Sequence, residues 1–320
     1  MVVALRFFLI FIIPCVALAQ EFPSRPIRLI VSFTPGGGAD LTARVVGQKM
    51  SESLGQPVVV ENRPGANGSI GAAAVATAAP DGHAMLLTDR GALGVNPSLY
   101  KKLPYDPTRD FQYLGIVTVA SYVLVVDPKL PVRTLNDLLK YAKTNPGKVN
   151  YASFGIASMA HLNLEALKAR LGINLTHVPY KGAGPAVQGV VAGDAGVTIA
   201  SPAGVLGFIR DGRLRALAIG AAQRSPLLAD VPTLGEAGGG EDTLASTYFA
   251  FALPAGTPRP VVERLHQEMK RAVLAPEVAD RLNAAGLEPV GGTGEELAEL
   301  VRRDIPRFRK IIQDIGIQPE

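Results

Sequence analysis

The stretch IRLIVSFTPGGGAD (residues 27–40) joins an apolar strand, three consecutive glycines and the start of a helix. Glycines turn the backbone without Cβ clashes, so the N–H groups of residues 36–38 can converge on one ligand. A helix N-terminus carries about half a positive charge and binds anions through free N–H groups. We expect Asp40 to cap this helix and Gly55 to end it. The stretch predicts an open α/β fold with an anion site at this corner, although a purely structural glycine-rich turn has the same pattern.

The first 19 residues have the pattern of a secretory signal peptide. Arg6 precedes an apolar run at residues 7–13, and Ala17-Leu18-Ala19 is a small-x-small cleavage site. The apolar run is shorter than the about 20 residues that a membrane span needs. We therefore expect export and cleavage after Ala19. The single cysteine, Cys15, lies inside this segment, so the mature chain would have no disulfide.

Composition excludes several classes of function. The chain has 320 residues and a formal net charge of +4, its basic residues are scattered, and Trp is absent, which argues against nucleic-acid binding. The four histidines, at positions 83, 161, 177 and 266, have no ligand-like spacing, so we expect no metal site. We expect no cofactor either, because Leu41 stands where a dinucleotide-binding fingerprint has its third glycine. The roughly 300 residues after the signal peptide suffice for two domains.

Strands and helices alternate along most of the chain, a pattern typical of parallel sheets with helices on both faces. The sequence predicts strands at 27–33, 58–61, 84–88, 123–126, 149–153, 176–178, 197–200, 214–219 and 247–253. It predicts helices at 135–144, behind a capping box at Thr134 and Asp137, and at 159–171, behind Ser158. From Pro258 onward the pattern is almost entirely helical, with Pro306 expected to kink or break the last helix.

Two further strand-to-helix corners resemble the first. Residues 151–158 (YASFGIAS) lead into a helix with Ser158 as the expected N-cap and His161 in its first turn. Residues 177–185 (HVPYKGAGP) lead into another helix and contain two glycines. Ligands of open α/β folds bind at the carboxyl ends of strands, so three such corners favour a carboxylate site.

The chain resembles the substrate-binding proteins of tripartite tricarboxylate transporters, also called the Bug family of periplasmic solute receptors. The matching runs span nearly the whole chain after residue 25: PIRLIVSFTPGGGAD (26–40), VVVENRPG (58–65), PDG (80–82), LPYDPTRDF (103–111), residues 151–161, residues 177–185, LRALA (214–218), DVPTLGEAG (230–238) and PAGTP (254–258).

This resemblance implies an α/β, two-lobed periplasmic-binding-protein fold of type II, in which each lobe is a sheet flanked by helices. The chain would cross between the lobes twice. The first lobe would comprise residues 20–121 plus 247–320, and the second lobe residues 122–246. The implied location is the periplasm.

The resemblance also implies a cleft that holds a small carboxylate or dicarboxylate. The first lobe would contribute Phe33, Thr34, Pro35, Gly36, Gly37, Gly38 and Asp40, and the second lobe Ala152, Ser153, Phe154, Gly155, Ser158, His161, Tyr180, Lys181, Gly182 and Ala183. We expect N–H donation from residues 36–38 and hydroxyl contacts from Thr34, Ser153 and Ser158. Asp40 would act indirectly by holding the loop, or only as a structural cap. His161 would contact the ligand or its waters, or would be a hydrogen-bonded histidine of the first helical turn. Lys181 would supply long-range attraction, or would be a solvated lysine beside the cleft.

Two positions depart from the family pattern. Relatives mostly have small hydroxyl residues where this chain has Thr88-Asp89-Arg90, so a charged pair would face the cleft, with Thr88 and Asp89 as candidate ligand contacts. Arg90 would either grip a carboxylate or pair with Asp89 at the surface. At Ala200 and Ser201, relatives often have an acidic or amide residue, and alanine there argues against an amino-acid ligand.

We therefore expect a monomeric receptor, not an enzyme, that delivers a carboxylate to the membrane subunits of a tripartite tricarboxylate-type transporter. A receptor that reports its ligand to a membrane signalling protein would use the same cleft. An exported hydrolase with Ser153 or Ser158 and His161 is a third alternative, but no G-x-S-x-G elbow frames either serine.

Overall fold

The structure is a computed structural model that describes residues 22–240, 243, 244 and 246–319. The predicted signal peptide and its cleavage site lie outside the described residues. Within the described ranges, no helix is long and apolar enough to cross a membrane.

The strands of the described residues are, in chain order, β1 (Ile27–Val31), β2 (Val58–Asn62), β3 (Ala84–Asp89), β4 (Phe111–Ala120), β5 (Val123–Val126), β6 (Asn150–Ser153), β7 (Thr176–Pro179), β8 (Val197–Ala200), β9 (Arg215–Ile219), β10 (Thr247–Pro254) and β11 (Glu288–Pro289). They form two sheets. The first lobe has the order β11-β4-β10-β3-β1-β2, and the second lobe has the order β7-β6-β8-β5-β9. The predicted two-lobed α/β fold with two crossings is confirmed.

Both sheets are mixed, so the prediction of parallel sheets was only partly right. β1 pairs in parallel with β2 and β3, and β6 pairs in parallel with β7 and β8. β10 is antiparallel to β3 and β4, and β5 is antiparallel to β8 and β9. The crossings explain this. β4 ends where the chain leaves the first lobe and β10 begins where it returns, with Thr247 opposite Ala120, so the two strands must run in opposite directions.

The α-helices of the described residues are α1 (Gly38–Leu54), α2 (Ser69–Ala76), α3 (Asn96–Leu99), α4 (Leu135–Thr144), α5 (Met159–Leu171), α6 (Ala183–Ala192), α7 (Pro202–Arg210), α8 (Arg259–Val273), α9 (Pro276–Ala284) and α10 (Gly294–Asp314). A single π-helical turn, Gly91–Val95, precedes α3. The bounds of α4 and α5 agree with the predicted ranges. The predicted capping box of α4 and the Ser158 cap of α5 are both formed.

Three details of the first lobe were not predicted. The ten-residue strand β4 was missed because its residues are buried on both faces, which removes the alternation that identifies a strand. The short strand β11 interrupts the helical tail. Pro306 does not break α10, which continues as one helix from Gly294 to Asp314.

The last helix connects the two lobes. Leu297 and Val301, near the start of α10, pack in the core beside the first sheet. Phe308 and Ile312, about two and three turns beyond Val301, belong to the core of the second lobe together with residues of β5, β6 and α5. α10 is therefore a third tie between the lobes, in addition to the two chain crossings.

A buried ion pair lies beside the second crossing. Arg90, 8% exposed, donates from Nε to Oδ2 of the fully buried Asp304 over 2.8 Å. Its Nη1 donates to the carbonyl oxygen of Ser246, and its guanidinium carbon lies 5.2 Å from the centre of the Tyr248 ring. Both predicted arrangements of Arg90 were therefore wrong. The guanidinium neither reaches into a cleft nor pairs with Asp89 at the surface, because a partner 214 residues away holds it.

We predict that Asp304→Ala lowers the free energy of unfolding by about 3–5 kcal/mol, because it leaves the Arg90 charge buried without its partner. Asp314→Ala on the same helix is the matched control. Its pair with Lys310 is 59–75% exposed, so we expect little change there. Urea denaturation of the wild type and both variants measures these free energies. Equal free energies of unfolding for Asp304→Ala and Asp314→Ala would contradict the prediction.

Candidate functional site

The glycine corner of the first lobe is open. Residues 34–37 are exposed, and a Cβ added to Gly36 or Gly37 would meet nothing within 4 Å. Gly37 is the N-cap of α1, and no side chain caps this helix. An α-helix has no internal acceptors for the N–H groups of its first turn, which carry the positive end of the helix dipole. This corner therefore presents uncapped N–H donors to the open space beside it.

Asp40 stabilises this corner through hydrogen bonds. Asp40 was predicted to be the N-cap of α1, and this prediction was wrong. Asp40 is instead a buried residue of the first turn. Its Oδ2 accepts hydrogen bonds from the N–H of Gly36 over 3.1 Å and from Nε of Arg44 over 2.9 Å. Its Oδ1 accepts from Nδ2 of Asn62 over 3.0 Å. The N–H of Gly36 is thus already used, which leaves the following N–H groups of residues 37 and 38 for a ligand.

The ionisation of Asp40 follows from these contacts. Burial alone would raise the pKa of the Asp40 carboxyl, but the hydrogen bonds outweigh burial and leave the pKa below its usual value. Asn62 also donates to the carbonyl oxygen of Phe33 over 3.0 Å. The end of β2 and the start of α1 are therefore locked around residues 33–36. Neither Asn62 nor Arg44 was assigned a role from the sequence, although Asn62 lies in the run VVVENRPG.

Asp89 ends β3, which is next to β1 in the sheet. Its Oδ1 accepts a hydrogen bond from the N–H of Ala92 over 3.0 Å, and the residue keeps some solvent access. Burial raises the pKa of Asp89 to about 6. Thr88 is fully buried, and its hydroxyl has no hydrogen-bond partner among the described residues.

The corner of the second lobe after β6 is held by its own hydroxyls. Ser153 is fully buried, and its Oγ lies 3.0 Å from the carbonyl oxygen of Gly155 and 2.6 Å from Nε2 of His177. Ser158 donates to the same carbonyl over 2.8 Å and accepts from the N–H of His161 over 3.3 Å. Of the three hydroxyls expected to contact the ligand, those of Ser153 and Ser158 are therefore already hydrogen-bonded within the protein. The histidine beside the Ser153 hydroxyl is His177, whereas the hydrolase alternative paired a serine with His161.

The side chain of His161 faces inward. Its Nδ1 accepts a hydrogen bond from the N–H of Ala157 over 2.9 Å, and its ring stacks on that of His177 with centroids 4.0 Å apart. Burial, followed by the neighbouring His177, lowers the pKa of His161 to about 4. At neutral pH the imidazole is therefore uncharged. This geometry makes His161 a support of the loop rather than a cationic ligand group.

The third corner lies beside the second. The N–H of Tyr180 donates to the carbonyl oxygen of Ser153 over 3.0 Å, which joins the two loops. Gly182, at φ +125°, is the N-cap of α6, and no side chain caps this helix either. Lys181 and Ala183 are exposed. The phenol of Tyr180 instead packs against α6, where a Cβ on Gly189 would lie 2.3 Å from its oxygen.

Contacts between the lobes connect the glycine corner of the first lobe to the end of β8 in the second lobe. Leu287 of the first lobe packs against Gly38, where an added Cβ would lie 3.2 Å from Cδ2 of the leucine. The preceding Gly286 packs on Pro202 of the second lobe, where the corresponding distance to Cβ is 2.4 Å. Pro202 follows Ser201, the N-cap of α7, and the buried Ala200. The contacts of Gly38 with Leu287 and of Gly286 with Pro202 therefore connect the start of α1 to the end of β8.

A second link runs through the first crossing. The ring of Tyr122 lies 6.4 Å from that of Phe154, at the corner after β6. Burial raises the pKa of Tyr122, and the nearby carboxylate of Asp89 adds to this increase. Tyr122, in the first crossing, therefore packs against the corner after β6. In the described ranges, no group of three or more His, Cys, Asp or Glu side chains is arranged to bind a metal ion.

The chain matches the family described as "Tripartite tricarboxylate transporter family receptor" over residues 42–317. It is 38% identical over 299 residues to Protein BugT of Bordetella pertussis, covering 93% of this chain and 91% of that protein.

Two solved structures with ligands have the same fold. A protein of R. palustris solved with adipate is 31% identical, with a TM-score of 0.87, covering 94% of this chain and all of that chain. MatC from Rhodopseudomonas palustris with bound malate is 32% identical, with a TM-score of 0.81, covering 91% of this chain and all of that chain.

We predict that Asp40→Ala lowers the free energy of unfolding by about 1–3 kcal/mol, because it removes the acceptor of three hydrogen bonds. Because the pKa of Asp40 is lowered by folding, its contribution is complete above the unfolded value of 3.8 and declines as the pH falls below it. The wild type and Asp40→Ala should therefore differ most near pH 7 and converge in acid.

Asp211→Ala is the control, because Asp211 is exposed and has no side-chain bond shown among the described residues. Denaturation of all three proteins at pH 7 and pH 3 provides the measurement. A stability difference for Asp40→Ala that is unchanged at pH 3 would show that the carboxylate is not its source.

Proposed function

Because the chain belongs to the tripartite tricarboxylate transporter family of receptors, we propose that it binds a small organic carboxylate or dicarboxylate between its lobes and delivers it to a membrane transporter of that type. The family is one of solute-binding receptors, so the protein releases its ligand unchanged. The proposal includes export to the periplasm with cleavage after Ala19, and action as a monomer.

The observation that carries the proposal is the uncapped start of α1. A Ser or Thr side chain caps α4, α5 and α10, whereas the other seven α-helices of the described residues have no such hydrogen bond, so α1 is distinguished by its exposed glycine corner at the end of β1 and not by the missing cap alone. At Gly37 the chain has no such side chain, and the surrounding space is open. An anion placed there would accept hydrogen bonds from the free N–H groups and interact favourably with the helix dipole.

The second lobe offers a similar donor group at the start of α6, where Gly182 is uncapped and adjacent to the exposed Lys181. Two helix N-termini on different lobes suit a ligand with two carboxylates, one for each lobe. The adipate and malate bound in the two related structures are both dicarboxylates, which supports this ligand class. Several charge-assisted hydrogen bonds support roughly micromolar affinity, worth about 8 kcal/mol.

We further propose lobe bounds of 20–121 plus 247–320 for the first lobe and 122–246 for the second, with bending at 120–122 and 246–249. The division of the strands between the two sheets supports these bounds. Closure would exclude water from the cleft and strengthen each hydrogen bond to the anion.

Gly37→Asp tests the glycine corner. Gly37 has φ −91°, and an added Cβ meets nothing within 4 Å, so a side chain fits without strain. We expect the added carboxylate to repel the ligand and to weaken binding at least about tenfold. Gly37→Ala adds a Cβ but no side-chain acceptor, so it leaves the first-turn N–H groups free, and we expect its affinity to stay within about threefold of the wild type.

Calorimetry of the three proteins against a panel of mono-, di- and tricarboxylates that includes adipate and malate measures this effect. Equal affinities for wild type and Gly37→Asp would remove the glycine corner from the site. Mass spectrometry of the recovered ligand tests the receptor role, since a chemically altered product made over many turnovers would indicate an enzyme.

A further inference from the structure

Three aromatic rings stack behind the ligand loop of the second lobe, which we define as residues 153–158. The ring of Tyr151 in β6 lies 4.9 Å from that of His177 in β7, at an interplanar angle of 19°. The ring of His177 in turn lies 4.0 Å from that of His161 in α5, at 8°. The two imidazoles are therefore in close parallel contact, and they connect the strands of the ligand loop to its helix.

His161 holds one end of the ligand loop. Its Nδ1 must be unprotonated to accept the N–H of Ala157, which lies 2.9 Å away. Ala157 has φ +54°, in the left-handed region that a non-glycine residue adopts only where its surroundings hold it. The hydrogen bond from the Ala157 N–H to His161 is one of the contacts that hold it there.

His177 holds the other end. Its Nε2 lies 2.6 Å from Oγ of Ser153, the first residue of the ligand loop. The same Oγ accepts the N–H of Gly155 over 3.2 Å. Each histidine of the stack thus contacts the loop through one polar atom, and the two contacts lie at its opposite ends.

The charges that face the stack come from α5. Oε1 of Glu165 lies 4.0 Å from Nε2 of His161, but it also accepts a hydrogen bond from the phenol of Tyr151 and pairs with Nζ of Lys168 over 2.6 Å. Lys168 also lies 5.4 Å from the centre of the Tyr151 ring. Glu165 is therefore already compensated and stabilises an imidazolium only weakly. Burial lowers the pKa of His161 to about 4 and lowers that of His177 as well.

We propose that His161 and His177 are positioning residues that hold the ligand loop in its binding conformation only while both imidazoles are neutral. This inference depends on the proposed function, because it assigns the loop to carboxylate binding. A proton on Nδ1 of His161 would turn the acceptor of the Ala157 N–H into a donor, and a second proton on His177 would place two positive charges 4.0 Å apart. The ligand loop then leaves its binding conformation, and the carboxylate dissociates.

The protection of the Ala157 amide against hydrogen exchange tests the loop without a ligand. In the wild type we expect its protection factor to fall as the pH decreases from about 6.5 towards 4, because the unfolded or opened form binds protons more strongly in that range. His161→Leu removes the acceptor and should lower the protection about tenfold at pH 7. His161→Asn places an amide oxygen near the position of Nδ1, so it should restore protection at pH 7 and abolish most of its pH dependence.

Calorimetry with adipate and malate tests the same variants for binding. We expect His161→Leu to weaken the affinity about tenfold at pH 7, and His161→Asn to stay within about threefold of the wild type. The affinity of the wild type should fall more steeply than that of His161→Asn between pH 6.5 and 4. Because the ligand titrates identically in both experiments, the difference in slope belongs to His161.

The inference is overturned if Ala157 is equally protected in wild type and His161→Leu, or if wild type and His161→Asn show the same pH dependence. The wild-type titration alone decides the matter should His161→Leu not fold. If Ala157 behaves as expected but no carboxylate in the panel binds, the positioning of the loop is supported and the proposed function fails. If carboxylates bind equally well to wild type and His161→Leu, the proposed function stands and this inference fails.

Discussion

The unsatisfied N–H groups at the start of α1 are the interaction on which the candidate site depends. A helix that begins without a side-chain cap loses stability, and the chain here begins α1 and α6 with glycines that cannot provide one. The surrounding structure compensates elsewhere. Asp40 takes the N–H of Gly36 and is itself held by Arg44 and Asn62, so the corner keeps its shape without a ligand. Such preorganisation lowers the ordering cost of binding an anion.

Local sequence signals predicted local structure well. The Thr134 capping box and the Ser158 cap fixed where α4 and α5 begin, since each depends on residues within one helical turn. The glycine corner was likewise visible in the run of residues 27–40. These features need no knowledge of distant parts of the chain, and the structure contains all of them.

Contacts between distant residues were beyond prediction. Arg90 finds its partner Asp304 across 214 residues, and no local pattern at either position identifies the other. The role of Asp40 depends on Asn62 at the end of a neighbouring strand, and the stack of His161 and His177 depends on the pairing of β6 with β7. The candidate site was therefore located by its corners, while the side chains that shape these corners emerged only from the folded arrangement.

The path of α10 has a mechanical consequence for the closure of the lobes. This helix rests on the first lobe at Val301 and on the second at Phe308, and Pro306 lies between these two points. Proline has no N–H, so the ladder of hydrogen bonds is one bond short at this place. Helices bend most readily where a bond of the ladder is missing. Relative rotation of the halves would therefore concentrate its elastic deformation at Pro306, and α10 would act as a spring whose most compliant point lies between its two anchors, nearer to Phe308.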